Sequence, residues 1–565
     1  YCHFERREKS LSNWRTDRDL SLWLEMTTTV RMTGRRLKQK HCLLSKIIIE
    51  SQCMLEVIIK DIKTLLRDVG VTGDLEFTTP PNPELGDIAL PCFTMAKESK
   101  KSPVELAREI SEKLKVKACS PMSGGESLKF IEKIEALGPY VNFYLDTAEL
   151  SKTVIKEIEK KEKDYGANKN GKGAKVMVEY SQPNTHKEFH IGHLRNVCIG
   201  SSVVEILKNN GYKVVAANYI GDIGAHVAKC LWYIKKFGKE ASDDVSPGQW
   251  LGKMYAEASA YIENNPEAKI EVAEVQNKLE SGDKEWLKFW KETKEWSMDS
   301  FKKIYETLNV KFDVWFYESD VEKPGKEMVK TLLEKNIAKR GEGGAVIVDL
   351  ENYGLETFLI LKSDSTSLYA TKDLALAQKK FADFKIDKSI YVVDNRQRFY
   401  FKQLFKTLEL LGWKKEMTFL GYDFVTLPEG AMASRKGNVV LFNDLFDDVE
   451  TMVAQEVHSR HSDWDEDLKE ECAKKIALAA IKFDMLKHPI DRVITFNKQE
   501  AISFDGFTGP YILYVVARIN SLIKKTINPE IKKSKVIFDL LGNAEEKKII
   551  MILSEYNEML QKSLA

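Results

Sequence analysis

The sequence predicts a multidomain α/β protein whose core is a doubly wound parallel, Rossmann-type sheet. The chain has 565 residues, too many for a single hydrophobic core at roughly 100–200 residues per domain. From residue 455 onward the apolar periodicity is helical, which predicts a helix bundle. The main observation is an alternation of strand and helix that begins at Val176 and is typical of parallel sheets. Its first four elements are Val176–Tyr180, His190–Asn210, Lys213–Ile220 and Ala225–Phe237.

The N-terminal part divides into an extension and a small domain. Residues 1–48 hold eleven basic and five acidic residues without periodicity, so we expect a disordered basic extension; an RNA-touching arm is the alternative. Residues 49–148 are expected to form an α+β domain, with a helix over 49–68, a helix opened by Ser102-Pro103 and an alternating strand over Tyr140–Leu145. Residues 149–175 are expected to be a helix and a linker.

The core is expected to span residues 176–454, with a charged helical insertion over about 238–335. The strand pattern resumes in four segments, which are Ala345–Leu350, Phe358–Leu361, Ser389–Val393 and Met417–Val425. Residues 455–565 carry the helical domain, and its last helix runs to Ala565 without a cap signal. We therefore expect that domain to be incomplete.

Composition excludes several classes of protein. Lys+Arg 86 against Asp+Glu 85 gives a net charge of +1, which excludes a uniformly basic nucleic-acid coat but allows local basic faces. The eight cysteines form no C-x-x-C pair, as expected for reduced thiols in a cytoplasmic protein. No apolar run approaches the roughly 20 residues of a membrane span.

The most informative motif is His190-Ile191-Gly192-His193, which follows the first core strand and a polar loop. Two imidazoles at i and i+3 lie on one face of a starting helix, whose free N–H groups suit phosphate. Gly192 has no Cβ and would let a flat ring approach the backbone. Metal binding by His186, His190 and His193 is the alternative, but Lys187 would repel a cation and H-E-x-x-H is absent, so we expect no zinc.

A second candidate is the loop of residues 431–438, which contains Ser434, Arg435 and Lys436. Such a basic, small-residue loop can close on a triphosphate and neutralise charge on the leaving pyrophosphate. The alternative is an ordinary basic surface loop.

A third candidate is a set of polar groups at strand ends and on one helix face, namely Glu179, Asn184, Tyr369, Asp373 and Gln397. Tyr369 and Asp373 stand at i and i+4. Two carboxylates, a phenol and amides could surround a planar cation with five donors. Each residue taken alone could equally be a helix cap or a solvated surface group.

The last candidate is the aromatic helix that follows the Gly/Pro turn of residues 503–510. Tyr511, Tyr514 and Arg518 could stack bases and hold phosphates of a nucleic acid. Alternatively, the tyrosines pack the core of the bundle.

Together these residues resemble the class I aminoacyl-tRNA synthetases, specifically the arginyl-tRNA synthetase family. The His190–His193 signature is intact, and its context from Glu179 to Lys187 is similar to that family's version. Tyr369, Asp373 and Gln397 match the family's arginine pocket in order and spacing. Residues 80–87 resemble its added tRNA-contacting domain, and residues 504–518 resemble the start of its anticodon-binding domain. The resemblance covers about residues 50–565.

The resemblance implies an arginine–tRNA ligase that joins L-arginine to tRNA(Arg) through arginyl-adenylate and releases AMP and pyrophosphate. ATP enters as a substrate with Mg²⁺, and the protein is expected to be a cytoplasmic monomer. The implied catalytic residues are His190, His193 and Lys187. The implied ATP-binding residues are Gly192, Ser434, Arg435 and Lys436. The implied arginine-binding residues are Glu179, Asn184, Tyr369, Asp373 and Gln397, and those for tRNA are Tyr511, Tyr514 and Arg518.

Three features depart from the family pattern. Ala431 and Ala433 replace the first Lys and first Ser of the second signature, and Lys187 stands where a lysine compensates in similar enzymes. Tyr400 occupies a position that is often His. The anticodon domain is shorter. Two alternatives stay open. One is a small-molecule adenylyltransferase, which shares the HxxH turn, and the other is a non-catalytic RNA-binding paralogue, which Ala431 and Ala433 suggest.

Overall fold

A computed structural model describes residues 54–118, 129–241, 245–428, 440–526 and 536–563. Cys53–Ala565 forms one compact unit. The predicted basic extension and the loop with Ser434, Arg435 and Lys436 lie outside the described residues. Within the described ranges, the cysteines Cys92, Cys198, Cys230 and Cys472 are free thiols. None of the helices in those ranges combines the length and apolar character that crossing a bilayer requires.

The N-terminal module is an α+β unit, as predicted. Its elements are α1 (Met54–Asp68), β1 (Ile88–Pro91), α2 (Phe93–Ser99), α3 (Pro103–Ala118), β2 (Ile131–Leu137), β3 (Tyr140–Leu145) and α4 (Thr147–Lys161). The strands form an antiparallel sheet in the order β1-β3-β2. Strand β3 is confirmed at its predicted bounds, because its alternating apolar residues Val141, Phe143 and Leu145 face the core. The Asp146 side chain caps α4 by accepting from the Glu149 N–H.

The first half of the core also follows the prediction. It comprises β4 (Lys175–Glu179), α5 (Ile191–Asn209), β5 (Lys213–Ile220) and α6 (Ala225–Lys236). The insertion then contributes α7 (Pro247–Asn264), α8 (Ala268–Ser281) and α9 (Lys284–Thr307). Each boundary lies within one residue of its predicted position in the first four elements, because strand and helix periodicities are both strong there.

The structure differs from the predicted insertion near its end. Within residues 238–335, β6 (Val314–Tyr317) joins the parallel sheet beside β5, and α10 (Glu318–Glu334) follows it. Four residues between charged neighbours carry too little periodicity to reveal a strand. The insertion is therefore shorter than the sequence suggested.

A second difference concerns the strands expected after the insertion. The elements here are β7 (Ala338–Arg340), β8 (Val346–Val348), β9 (Phe358–Leu361), α11 (Tyr369–Phe384), β10 (Lys388–Asp394), α12 (Arg398–Leu410), β11 (Glu416–Tyr422) and β12 (Val425–Thr426). Strands β7, β8 and β9 form a separate antiparallel sheet, because their short connections cannot make a parallel crossover. Only β10 and β11 continue the parallel sheet.

The parallel sheet has the order β11-β10-β4-β5-β6. The chain moves outward from β4 to β6 and then returns to the other side of β4 at β10. The carboxyl ends of β4 and β10 therefore border a topological switch point, where open α/β sheets bind ligands.

The C-terminal part is helical apart from one short strand. It contains α13 (Phe442–Arg460), α14 (Glu466–Leu486), β13 (Ile494–Thr495), α15 (Lys498–Ala501), α16 (Gly509–Thr526) and α17 (Ala544–Lys562). Helix α17 returns to the N-terminal module, where Ile550 enters the core and the Lys547 ammonium lies 2.8 Å from the Asp87 carboxylate. The Tyr165 hydroxyl donates to the Leu553 carbonyl at 2.7 Å.

Candidate active site

The predicted imidazole pair forms the beginning of α5. His190 is the N-cap, and its Nδ1 accepts from the Gly192 N–H at 3.1 Å. The His190 N–H donates to Nδ1 of His193 at 3.3 Å, and the two rings stack with centroids 3.8 Å apart. Because both Nδ1 atoms accept, a neutral imidazole at either position carries its proton on Nε2. The pair therefore presents two N–H donors.

Both imidazoles are neutral at physiological pH. Burial, followed by the charge of Lys187, lowers the pKa of His190 to about 4. Burial and the neighbouring His190 and Lys187 hold the pKa of His193 well below its usual value. Neutral donors at a helix N-terminus suit phosphate oxygens, while the full positive charge comes from Lys187.

The space left by Gly192 admits a ring, but the ring is that of His190. A Cβ on Gly192 would lie 2.9 Å from Cε1 of His190. A side chain at position 192 would displace the His190 imidazole from its place over the helix start. Contact with an adenine at this position stays a prediction.

Two asparagines that the sequence analysis missed shape the preceding loop. Asn196 accepts from the Ser181 N–H at 2.5 Å, and Asn218 accepts from the Gln182 N–H at 3.2 Å. Ser181 and Gln182 have φ values of +80° and +46°, which residues other than glycine seldom adopt. The asparagines hold this strained turn at the carboxyl end of β4.

His186 is buried and hydrogen-bonded to helix α9 of the insertion. Its backbone N–H donates to Ser297 Oγ at 2.9 Å, and its Nε2 lies 2.8 Å from Thr293 Oγ1 on α9. Burial lowers the pKa of His186 to about 3. Within the described ranges, no three His, Cys, Asp or Glu side chains are arranged to hold a metal.

The acidic pocket lies on α11. Asp373 accepts a 2.5 Å hydrogen bond from the hydroxyl of Tyr400, the residue that departs from the family pattern. Burial and the nearby carboxylates of Glu179 and Glu318 raise the pKa of Asp373 to about 7. The hydrogen bond from Tyr400 offsets part of this rise. Tyr400 therefore takes part in the pocket as the partner of Asp373.

Two lysines neutralise the other carboxylates of the pocket. Glu179, at the end of β4, pairs with the fully buried Lys380, and Glu318 pairs with Lys372. Among the described residues, no ammonium lies within ion-pair distance of Asp373. Asp373 is therefore the one carboxylate of these three without a lysine partner, and its ionised form matches a single guanidinium.

Two tyrosines add polar atoms to the pocket. The Tyr219 hydroxyl is buried and has no hydrogen-bond partner among the described residues. Burial and the charges of Asp373, Glu318 and Glu179 raise its pKa well above the usual value. Tyr369 begins α11 and is 62% exposed. A phenol that faces carboxylates without a partner is available to a ligand.

The remaining predicted residues lie at the rim or elsewhere. Asn184 forms a β-bridge with Gly221 at the end of β5, and Gln397 is exposed at the end of the short 3-10 turn Asn395–Gln397 that follows β10. On α16, Tyr511 and Tyr514 are 41% and 36% exposed, with ring centroids 6.4 Å apart, and Arg518 is exposed. The tyrosines therefore do not pack the centre of the bundle.

The imidazole turn and the acidic pocket both lie near the carboxyl end of β4. After burial, the charges of Lys187 and Lys372 are among the causes that hold the pKa of His226 well below its usual value. Glu179 ends the strand that leads to the imidazole turn, and Lys380 lies on the helix that carries Asp373. Lys380 follows Asp373 by seven residues, a helical spacing that could have identified it. Nothing in the sequence indicated its pairing with Glu179.

Known proteins share both parts of the chain. A family described as "tRNA synthetases class I (R), catalytic domain" matches residues 154–497, and "Arginyl tRNA synthetase N terminal domain" matches residues 56–145. The arginine–tRNA ligase of Bdellovibrio bacteriovorus is 38% identical over 85% of this chain and 81% of its own. That of Clostridium perfringens is 37% identical over 84% of this chain and 83% of its own.

Solved structures give the same result for the fold. The arginyl-tRNA synthetase of Thermus thermophilus is 25% identical, with a TM-score of 0.71 over 90% of this chain and 87% of that one. The Plasmodium falciparum arginyl-tRNA synthetase shares the fold at a TM-score of 0.68 and 21% identity, over 91% of this chain and 89% of that one.

Proposed function

The chain belongs to the class I arginyl-tRNA synthetase family and is an arginine–tRNA ligase. We propose that the crevice at the carboxyl ends of β4 and β10 holds ATP and L-arginine side by side. The observation that carries the proposal is the convergence of the imidazole turn and the acidic pocket on the carboxyl ends of β4 and β10. One end offers donors and a cation to phosphates. The other offers one uncompensated carboxylate to a guanidinium.

At the phosphate end, Nε2–H of His190 and of His193 donates to ATP oxygens while the arginine carboxylate attacks the α-phosphorus. The bond to pyrophosphate breaks as the bond to the carboxylate oxygen forms. Lys187 stabilises the charge that develops on the leaving pyrophosphate. Ser434, Arg435 and Lys436 are proposed to assist from the loop outside the described residues. Mg²⁺ enters with ATP and is held mainly by its phosphates.

At the arginine end, Asp373 accepts from the guanidinium, and Tyr369 covers it. Glu179 contributes through the charge balance that it sets with Lys380, and Asn184 and Gln397 hold the amino and carboxylate groups. A guanidinium fork satisfies two acceptors together, whereas an ammonium leaves one unpaired. This geometry favours arginine over lysine.

The tRNA partner is proposed to be tRNA(Arg). The exposed face of Tyr511, Tyr514 and Arg518 would contact its anticodon region, and residues 80–87 would contact its elbow. We also propose that the protein acts as a monomer in the cytoplasm.

Transfer of the arginyl group to tRNA requires attack by the terminal ribose hydroxyl on the adenylate carbonyl, with AMP leaving.

The test is aminoacylation of tRNA(Arg) with each standard amino acid, together with arginine-dependent pyrophosphate exchange with and without tRNA. Arginine alone should be attached, and lysine should be rejected by about three orders of magnitude or more. Exchange without any tRNA charging would favour a small-molecule adenylyltransferase. Tight tRNA binding without charging would favour a non-catalytic paralogue.

A further inference from the structure

We propose that Tyr255, on helix α7 of the insertion, is a positioning residue that holds the Lys187 ammonium at the phosphate end of the crevice. The proposal rests on the role of Lys187 given above. It assigns to the insertion a part in adenylate formation that does not involve substrate contact.

The geometry places an aromatic face beneath the lysine. The Lys187 Nζ lies 5.0 Å from the centroid of the Tyr255 ring. Within the described ranges, no carboxylate pairs with Lys187. A cation over a ring at this distance is attracted by the negative face of the π-system. The ring is therefore the feature that restricts the ammonium.

A second lysine shares the same ring. The Lys229 Nζ lies 4.8 Å from the Tyr255 centroid and donates to Ser259 Oγ at 3.2 Å. Ser259 lies one turn further along α7, so Lys229 is tethered there. Because like charges repel, the tethered Lys229 disfavours conformations that bring Lys187 toward it.

The ring is fixed relative to the catalytic loop because α7 packs directly against that loop. A Cβ on Gly252 would lie 2.1 Å from Cγ of Glu188 in the loop, and one on Gly248 would lie 2.5 Å from Cβ of Ser300 on α9. A side chain at either glycine would force the Glu188 side chain or helix α9 to shift. Tyr255 follows Gly252 by three residues and so lies on the same face of the helix.

A ring serves this purpose better than a carboxylate would. An ion pair would cancel the charge of Lys187, whereas a neutral ring orients the ammonium and leaves its charge available to pyrophosphate. This matters in a chain with Ala431 and Ala433 in the second signature, because fewer cations and hydroxyls then come from that loop. The orientation of Lys187 accordingly affects the rate more than arginine binding.

The simpler interpretation is that Tyr255 only packs the insertion. Tyr255 and Tyr261 are both partly buried against the same apolar cluster of α6, α7, α8 and α9. Tyr261 contacts the rings of Trp232, Tyr233 and Phe237 and has no lysine over it among the described residues. Tyr261→Leu is therefore a matched control for packing.

The experiment is a double-mutant cycle on the full chain, measured by arginine-dependent pyrophosphate exchange in the presence of tRNA(Arg). Tyr255→Leu should lower kcat about 3- to 10-fold, the range expected for one partly buried cation–π contact, with little change in the KM for arginine. Tyr255→Phe keeps the ring and should recover most of the rate. In a Lys187→Ala background, Tyr255→Leu should cause no further loss.

The outcomes distinguish the positioning role of Tyr255 from the proposed role of Lys187 itself. Equal losses from Tyr255→Leu with and without Lys187, or an equal loss in Tyr261→Leu, would overturn the positioning role and leave Lys187 in place. A wild-type rate in Lys187→Ala would overturn both. Circular dichroism and thermal unfolding of each variant show whether the fold is retained.

Discussion

At the scale of single residues, the pocket is defined by which charges are already paired. Glu179 and Glu318 each pair with a buried lysine, while among the described residues Asp373 receives only the Tyr400 hydroxyl. A buried carboxylate without a cation is costly, which is why its pKa rises. In the proposed function, the guanidinium of arginine supplies the missing charge.

Asp373→Asn tests this assignment. Removing the carboxylate should raise the KM for arginine about 100-fold or more, because the buried guanidinium loses its counter-charge. The KM for ATP should stay within about twofold. Tyr400→Phe keeps the carboxylate and should have a smaller effect of about tenfold or less. An unchanged KM for arginine in Asp373→Asn would exclude this residue from the pocket.

The pH dependence of arginine use provides a second test. Asp373 has a pKa of about 7 in the free protein, so its charged form decreases as the pH falls below 7. The value of kcat/KM for arginine should therefore level off about one pH unit above 7 and fall about tenfold per pH unit well below 7. Burial and then Asp444 raise the pKa of Glu188 to about 7 as well. A profile of Asp373→Asn separates the two groups, because only the Asp373 step should disappear.

At the scale of elements, the pocket depends on how closely α10 and α11 cross. A Cβ on Gly325 of α10 would lie 2.3 Å from the Thr371 carbonyl oxygen of α11. The contact is with backbone, which cannot rotate away. Helix α11 carries Lys372, Asp373 and Lys380, so a shift of this helix moves the whole acidic pocket.

Gly325→Ala should therefore destabilise the protein by about 1–3 kcal/mol and also raise the KM for arginine. Urea unfolding and steady-state kinetics measure the two effects. Lys323→Ala, at an exposed site on the same helix, should change stability by about 0.5 kcal/mol or less. A Gly325→Ala variant with normal stability would show that the crossing tolerates a methyl group.

At the scale of the whole molecule, the last described helix packs on the first module. Helix α17 places Ile550 in the core of the N-terminal module, with 6% of the residue exposed. The adjacent Ile549 is 58% exposed. Contacts between distant parts of the chain thus couple the stability of the two ends.

Ile550→Asp should lower the free energy of unfolding by about 3 kcal/mol or more, because it buries an unpaired charge. Ile549→Asp places the same charge one residue away in solvent and should change it by about 0.5 kcal/mol or less. Thermal unfolding and limited proteolysis of the N-terminal module report the difference. Equal effects would mean that α17 does not support the module.

Much of the fold and part of the site follow from local sequence. Strong periodicities predicted β3, β5 and α5, and the spacing of His190 with His193 and of Tyr369 with Asp373 indicated both ends of the crevice. The prediction failed at β6, whose four residues are too few to show a period. Strands β8 and β9 lie where strands were predicted, but their short connections decided an antiparallel pairing in a separate sheet.

By itself, the sequence determined the alternating core and the imidazole signature, since these depend on neighbours along one helix or one loop, and it predicted the residues of an arginine pocket. Only the tertiary structure decided the pairing of Glu179 with Lys380, of Asp373 with Tyr400, and of Lys187 with the ring of Tyr255. Each of these pairs joins separate elements. Their distances are set by how helices pack across the sheet, and local spacing carries no information about that packing.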